Sequence, residues 1–296
     1  MRFAFTDEQL EFRDGLRALL EKECTPAHLR DAWTNESGRV PGLWEQLVDM
    51  GVVALLAPEA DGGLGLTFVD LVLLLEETGR HAVPEPIVET AAIGVPLLRA
   101  TGTVAAGEEL VPWADTAGVI VTAAGRFDST TAALTPHASV DGARRLFTVA
   151  GTGAEVDLDA VFVRGALGTA AQQCGLADRM IELTVGYVKE RQQFGVPVGS
   201  FQAVKHHLAN ARLALEFARP LVYRAAVTLD PVHVSMAKAK ADGAALTAAR
   251  VALQCHGAIG YTTEYDLHLF MKRAWALART WGDARAHRNR VATAVL

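Results

Sequence analysis

Two short stretches carry the residues best suited to grip a charged ligand. The first is Glu190-Arg191-Gln192-Gln193-Phe194-Gly195-Val196-Pro197, followed closely by Phe201-Gln202. The second is Gln254-Cys255-His256-Gly257-Ala258-Ile259-Gly260-Tyr261. Arg191 falls just past a helical pattern, in a turn containing Gly195 and Pro197, where a guanidinium presents parallel donors to a diphosphate. A lone arginine at a helix end serves equally as a surface ion-pair partner of the helix dipole, and Phe194 read alone is ordinary core packing. Gln254 closes a long helix ahead of a glycine-containing turn, a position from which its amide and nearby backbone groups contact a nucleotide.

Little else in the chain suggests covalent or acid–base chemistry. Gly151-Thr152-Gly153 lacks the third glycine of a dinucleotide fingerprint, and no Walker-type Gly-Lys-Ser/Thr occurs. Gly62-Gly63-Leu64-Gly65 reads as a structural turn, since no Lys-Ser/Thr follows to complete a phosphate cradle. His206, His207 and His256 have no partner motif of the His-Glu-x-x-His kind and read as helix-surface or turn residues. No Gly-x-Ser-x-Gly elbow or Cys-His signature marks a nucleophile. The basic residues Lys272, Arg273, Arg279, Arg285, Arg288 and Arg290 either face phosphate groups or are solvated and paired across a subunit interface.

These residues belong to a 296-residue chain that is 50% apolar, enough to fill a sizeable core. Its formal charge of −6 creates no general field for nucleic acid or an anionic membrane, so any anion site must be local. The cysteines, Cys24, Cys174 and Cys255, are odd in number and far apart, which argues against disulfides and metal ligation and for a reducing, cytoplasmic setting. The first residues carry acidic groups where an export signal would be apolar. The longest apolar run, Phe68 to Leu75, contains Asp70 and is far short of the roughly 20 residues that span a bilayer, so it predicts a buried helix.

Periodicity divides the chain into three parts in the order α, β, α. Residues 1–111 read as an N-terminal helical domain, with Thr6 as an N-cap and a helix from Thr67 to Thr78 after the Pro58–Gly65 turn. Residues 112–163 read as a small β region, with strand-like runs at Val119–Thr122, Leu146–Val149 and Ala160–Val163. Residues 164–296 return to long amphipathic helices. One stripe is Leu176, Met180, Leu183 and Tyr187; another runs from Val204 to Ala225; an alanine-rich helix from about Val232 ends at Gly257. Further helical segments span Asp266 to Arg279 and the residues from Asp283 onward.

Taken together, the Arg-x-x-Phe-Gly turn and the later Gln-x-x-Gly turn resemble those of acyl-CoA dehydrogenases, flavoproteins in which both turns reach across a subunit interface to FAD. The likeness covers most of the chain and implies a mainly α fold: an N-terminal helical domain, a reduced middle β region and a C-terminal four-helix bundle. Ala258 replaces a glycine usual at that position. The middle is shorter than the family's β-domain and lacks its Thr-x-Pro-x-x-Gly-Ser-Asp-like segment. Where the family carries the Glu-Gly of its catalytic base, this chain has Trp281-Gly282, and the alternative base position falls near Gly165. Dehydrogenation of a thioester needs a carboxylate to take the α-proton, and neither residue is one.

These losses resemble the shorter, non-catalytic subunit of α2β2 acyl-CoA dehydrogenases from steroid-degrading actinobacteria. That resemblance implies a full-length partner supplying the β-domain and the glutamate. It assigns Arg191, Gln193, Phe194, Phe201, Gln202, Gln254 and Gly257 to the shared FAD site, a bulky acyl-CoA as substrate, and no catalytic residue or metal to this chain. Two alternatives stand beside it: a homo-oligomeric flavoenzyme using Asp283 or Glu264 as base, and a flavin-free structural or thioester-binding relative.

Overall fold

In the computed structural model, residues 4–100 and 102–296 are described. The N-terminal part is helical because its caps and apolar spacing agree. Helix α1 (Asp7–Glu23) starts with a capping box, in which Thr6 Oγ1 accepts from the Gln9 N–H and the Gln9 side chain accepts from the Thr6 N–H. Helices α2 (Pro26–Thr34) and α3 (Leu43–Asp49) follow. The apolar run becomes α4 (Phe68–Arg80), buried along most of its length and capped at Thr67. Between α3 and α4 the Pro58–Gly65 segment forms a tight turn, with Gly62 and Gly65 at positive φ. A π-helical segment (Val88–Gly94) and the short α5 (Val95–Leu98) close this part.

The β region begins earlier than the sequence pattern indicates, with β1 (Val104–Ala106) and β2 (Val111–Pro112). It continues through β3 (Val119–Thr122), β4 (Gly125–Asp128), β5 (Ala133–His137) and β6 (Leu146–Ala150). These strands form two three-stranded sheets, ordered β1-β3-β4 and β2-β6-β5. The Val119–Thr122 and Leu146–Val149 strands lie where the sequence places them. The Ala160–Val163 run does not form a strand: it lies in the first turns of α6 (Leu158–Glu190). Asp157 caps that helix by accepting from the Ala160 N–H at 2.9 Å, and Val161 and Val163 are buried against the core. Packing and a cap thus override a β-branched preference.

The C-terminal bundle consists of α6, α7 (Gln202–Thr228), α8 (Pro231–His256), α9 (Leu267–Leu277) and α10 (Ala284–Val295), with a small β7–β8 hairpin (Gln192–Gln193 and Val196–Pro197) after α6. Helix α8 is central and packs on α6, α7, α9 and α10. Its buried alanines, among them Ala237, Ala241, Ala245 and Ala248, permit that close approach. The N-terminal part is joined to the bundle by a crossing of α4 and α6 that only glycine allows. A Cβ on Gly175 would lie 1.8 Å from the Glu76 carbonyl oxygen, and one on Gly79 would lie 2.1 Å from the Gln172 carbonyl oxygen. Charge reinforces the junction: the buried Glu76 accepts from Arg219 Nε at 2.7 Å and from the Tyr223 hydroxyl at 2.9 Å, linking α4 to α7.

A second buried charge pair organises the far side of α8. Lys238 and Asp242 both have fully buried side chains, and Lys238 Nζ donates to Asp242 Oδ2 at 2.6 Å. The ammonium also reaches the carbonyls of Leu277 (3.3 Å) and Gly282 (3.4 Å). The other Asp242 oxygen accepts from Gln173 of α6 at 3.1 Å. Burial pushes the Asp242 carboxyl up to about 6 and the Lys238 ammonium down, each held charged by the other. Replacing Lys238 by Met should therefore cost about 3–5 kcal/mol in urea unfolding, because Asp242 is stranded. The Lys238→Met/Asp242→Leu double variant should recover most of that loss, and an equal loss in both variants would show that the pair is not coupled.

Candidate functional site: a cavity where three helix ends meet

Arg191 is the C-cap of α6, its N–H closing the helix on the Tyr187 carbonyl at 2.9 Å. The chain then reverses through the β7–β8 hairpin, whose turn residues Phe194 and Gly195 have φ of +55° and +80°. Glycine accepts that geometry; for phenylalanine the left-handed region costs roughly 1–2 kcal/mol. The strained Phe194 side chain is nonetheless 92% exposed. Helix α7 follows with Phe201 at its N-cap and no side-chain cap, so the positive end of a 27-residue helix has only its own backbone donors to present.

The ends of α6 and α8 and the start of α7 surround a cavity of about 620 Å³. Of the seven residues the resemblance assigns to a shared FAD site, Arg191, Gln193, Gln254 and Gly257 line it. Phe194 and Phe201 stand outside the lining as an edge-to-face pair with centroids 6.2 Å apart. Gln202 opens α7, is exposed and does not line the cavity. Gly257 has φ +61° and ψ −138°, a conformation for which glycine is needed even though a Cβ would meet nothing there. Arg191 and the first turn of α7 give this cavity a positive character suited to a diphosphate.

Tyr187, His207 and His256 also line the cavity, although the sequence reading gave Tyr187 to an amphipathic stripe and the two histidines to a helix surface or turn. Tyr187 lies four residues before Arg191 on the same helix face, a spacing that could have suggested it. His256, expected at a surface or turn, is buried. Its ring stacks on Tyr187 at 4.3 Å, its Nδ1 donates to the Ala252 carbonyl at 2.8 Å, and burial lowers its pKa, so the neutral ring forms a fixed wall.

Trp281 and Gly165, the two positions at which the resemblance places a base, meet in space. A Cβ on Gly165 would come within 2.3 Å of the Trp281 indole. Trp281 is 3% exposed, takes a left-handed φ of +57°, and packs edge-on to Phe162. The turn is pinned from three sides: His287 Nε2 donates to the Trp281 carbonyl at 2.7 Å, Lys238 reaches the Gly282 carbonyl, and Glu108 accepts from the Gly282 N–H at 3.0 Å. Asp283 caps α10, accepting from the Arg285 and Ala286 N–H groups at 3.0 and 2.9 Å, and Glu264 is exposed.

The basic residues near the C-terminus do not form one patch. Arg273 is buried and paired within the chain to Asp141 and to the Val83 carbonyl, which corrects its reading as a solvated or interface residue. Lys272 lies over Trp33 and Arg290 over Phe162, while Arg279, Arg285 and Arg288 are exposed. Among the described residues no group of three or more His, Cys, Asp or Glu is placed to hold a metal, and no helix is long and apolar enough to cross a membrane.

Comparison with known proteins places the chain in a family. Residues 6–114 match the acyl-CoA dehydrogenase N-terminal domain and residues 151–296 the acyl-CoA dehydrogenase C-terminal domain. The chain is 34% identical to acyl-CoA dehydrogenase IpdE2 of Mycolicibacterium smegmatis, over 97% of this chain and 98% of that protein. It is 32% identical to IpdE2 of Mycobacterium tuberculosis, over 92% of each. Among solved structures, the ChsE4-ChsE5 complex from Mycobacterium tuberculosis shares the fold with a TM-score of 0.87 at 23% identity, covering 99% of this chain and 98% of that one. The Tcur3481-Tcur3483 steroid ACAD G363A variant does so with a TM-score of 0.86 at 24% identity, covering 97% of each. The chain belongs to the acyl-CoA dehydrogenase family, a family of FAD-dependent oxidoreductases.

The contact between Gly165 and Trp281 is directly testable. A Gly165→Ala substitution should destabilise the protein by about 1–3 kcal/mol in urea unfolding, through overpacking against the indole. In a Trp281→Ala background the same change should cost less than half as much, and an undiminished cost would place the strain elsewhere.

Proposed function

We propose that this chain is a subunit of an FAD-dependent acyl-CoA dehydrogenase, completing the flavin site of a full-length partner that supplies the catalytic glutamate. The observation that carries this reading is Phe194: a bulky aromatic in a strained left-handed turn, almost fully exposed, beside a cavity lined by Arg191, Gln193, Gln254 and Gly257. Solvent gives no return for that exposure or that strain, whereas a covering surface does. Other exposed apolar groups are Leu213, Phe217 and Val227 on α7, and Tyr261 beyond α8.

In this arrangement Arg191 and the N-terminus of α7 hold the FAD diphosphate, and the Gln254 amide and the Gly257 backbone approach it closely. Phe194 and Phe201, with Gln193 and Gln202 beside them, exclude water from its edge. The residues present fit part of the cofactor, since the positive groups sit at one open cavity while the flavin-side base position is filled by the Trp281 indole. Bound FAD supplies the hydride acceptor for α,β-dehydrogenation of the thioester. No carboxylate of this chain occupies either base position, so α-proton removal falls to the partner. Relatives named IpdE2 are acyl-CoA dehydrogenases, and two structures with this fold are a ChsE4-ChsE5 complex and a Tcur3481-Tcur3483 steroid enzyme. Those names support a two-gene assembly of α2β2 type and a bulky, steroid-derived acyl-CoA as substrate.

The test is flavin content. Expressed alone, the chain should retain little flavin; co-expressed with a full-length paralogue, it should yield a yellow heterotetramer. Arg191→Ala in that assembly should weaken flavin retention roughly tenfold to a hundredfold, the loss expected for one charge-assisted diphosphate contact. Stoichiometric flavin in the lone chain, or unchanged retention in the variant assembly, would overturn the proposal.

A further inference from the structure

A second cavity, of about 450 Å³, opens between the loop after β5 and the C-terminal end of α9, away from the Arg191 cavity. Its apolar wall includes Leu110, Val140, Trp275 and the edge of Trp281. Trp275, Leu110 and Val140 each present substantial exposed surface. Arg144 lines both this cavity and an adjoining one of about 270 Å³.

Arg144 is the anomaly. It is only 4% exposed, yet its Nε has no hydrogen-bond partner. Among the described residues no carboxylate lies within ion-pair distance of it, and Glu89 and Asp141 act on it only through space. Asp141 is already committed to Arg273 and to the Ala143 N–H. Burial pushes the Glu89 carboxyl up to about 7, opposed by Arg144 itself, and the two do not come within ion-pair distance. The Trp113 ring, 6.0 Å away, offsets part of the deficit as a cation–π contact. A buried guanidinium left this way costs several kcal/mol unless an anion reaches it.

We propose that this cavity binds a monoanionic organic carboxylate with a flat apolar body, its carboxylate on Arg144 and its body along Trp275. The guanidinium fork matches a carboxylate in two-point geometry, and an exposed indole beside Leu110 and Val140 suits a planar hydrocarbon. Glu108 and Glu109 line the same cavity and Arg279 stands beside them, so with Arg144 its formal charges balance and a monoanion is favoured over a polyanion. The site is therefore separate in chemistry from the diphosphate-binding cavity at Arg191.

The experiment is titration calorimetry on the full-length chain in the assembly in which it purifies, with 2-naphthoate, its neutral analogue 2-naphthalenemethanol, and inorganic phosphate. Naphthoate should bind about tenfold tighter than the alcohol or better, as a charge-assisted contact predicts, and phosphate should not compete. Arg144→Met, made together with Glu89→Gln to avoid stranding a buried acid, should reduce naphthoate binding to the level of the alcohol. Trp275→Ala, at the open side of the cavity, should weaken both organic ligands severalfold and serves where the buried variant fails to fold. Equal affinity for acid and alcohol, competition by phosphate, or unchanged binding in either folded variant overturns the proposal. None of these readouts involves flavin, so a negative result bears on this cavity alone.

Discussion

Much of the bundle is arranged around the need to hydrate Lys238 and Asp242 without water. Two charges with no exposure must find every partner within the protein, and here the partners come from separate elements: Gln173 of α6, the last carbonyls of α9 and the Gly282 carbonyl. An ammonium at the C-terminal end of α9 also meets the negative end of that helix dipole. Gln173 adds a second bond to the Ala274 carbonyl at 3.0 Å, so one amide serves both the aspartate and α9. Three pieces of chain, α6, α9 and the Gly282 turn, are thereby fixed relative to α8, and that turn is set by electrostatics as much as by packing.

That turn decides what the interior can and cannot do. With its backbone held by Lys238, His287 and Glu108, Trp281 lies against Gly165, and the interior there is filled by an indole. Glycine is the one residue type that lets the ring lie there, so Gly165 and Trp281 are complementary in shape. The outer surface follows the opposite rule. Inward-facing Ala211, Leu215, Ala218 and Val222 of α7 are fully covered, yet the same helix shows Leu213 and Phe217 to solvent. A helix with apolar groups on two faces has one face for its own core and another for a different surface.

The helical parts were legible in the sequence because burial, spacing and caps agreed there. Thr6, Thr67 and Gly257 mark helix ends that the structure reproduces, and the stripe from Ala211 to Ala225 faces the core. The start of α6 was not legible, because Ala160-Val161-Phe162-Val163 satisfies a strand preference and only tertiary burial makes it helical. His256 and Arg273 were misjudged for a related reason: a polar side chain looks external until the partner that permits its burial is known, and Ala252 and Asp141 supply those partners. Lys238 and Asp242 were invisible as a core feature, since a Lys and an Asp four residues apart on a helix read as an ordinary surface pair. Four of the seven site residues were brought to one cavity by the fold. The other three, Phe194, Phe201 and Gln202, are exposed and lie outside its lining.

The openness of the Arg191 cavity bears on how much a single chain can bind. Small-molecule sites commonly enclose most of their ligand, whereas this one is formed by three helix ends and a protruding hairpin. The polar groups this cavity offers to any ligand include one arginine, two amides and backbone donors. Such contacts are worth a few kcal/mol in all, less than the cost of immobilising a large flexible cofactor. A second surface closing over Phe194 would change that balance twice, by burying the aromatic pair and by lowering the dielectric around the Arg191–diphosphate contact. The left-handed turn holds the Phe194 ring outward, clear of its own chain, and leaves it free to meet another surface.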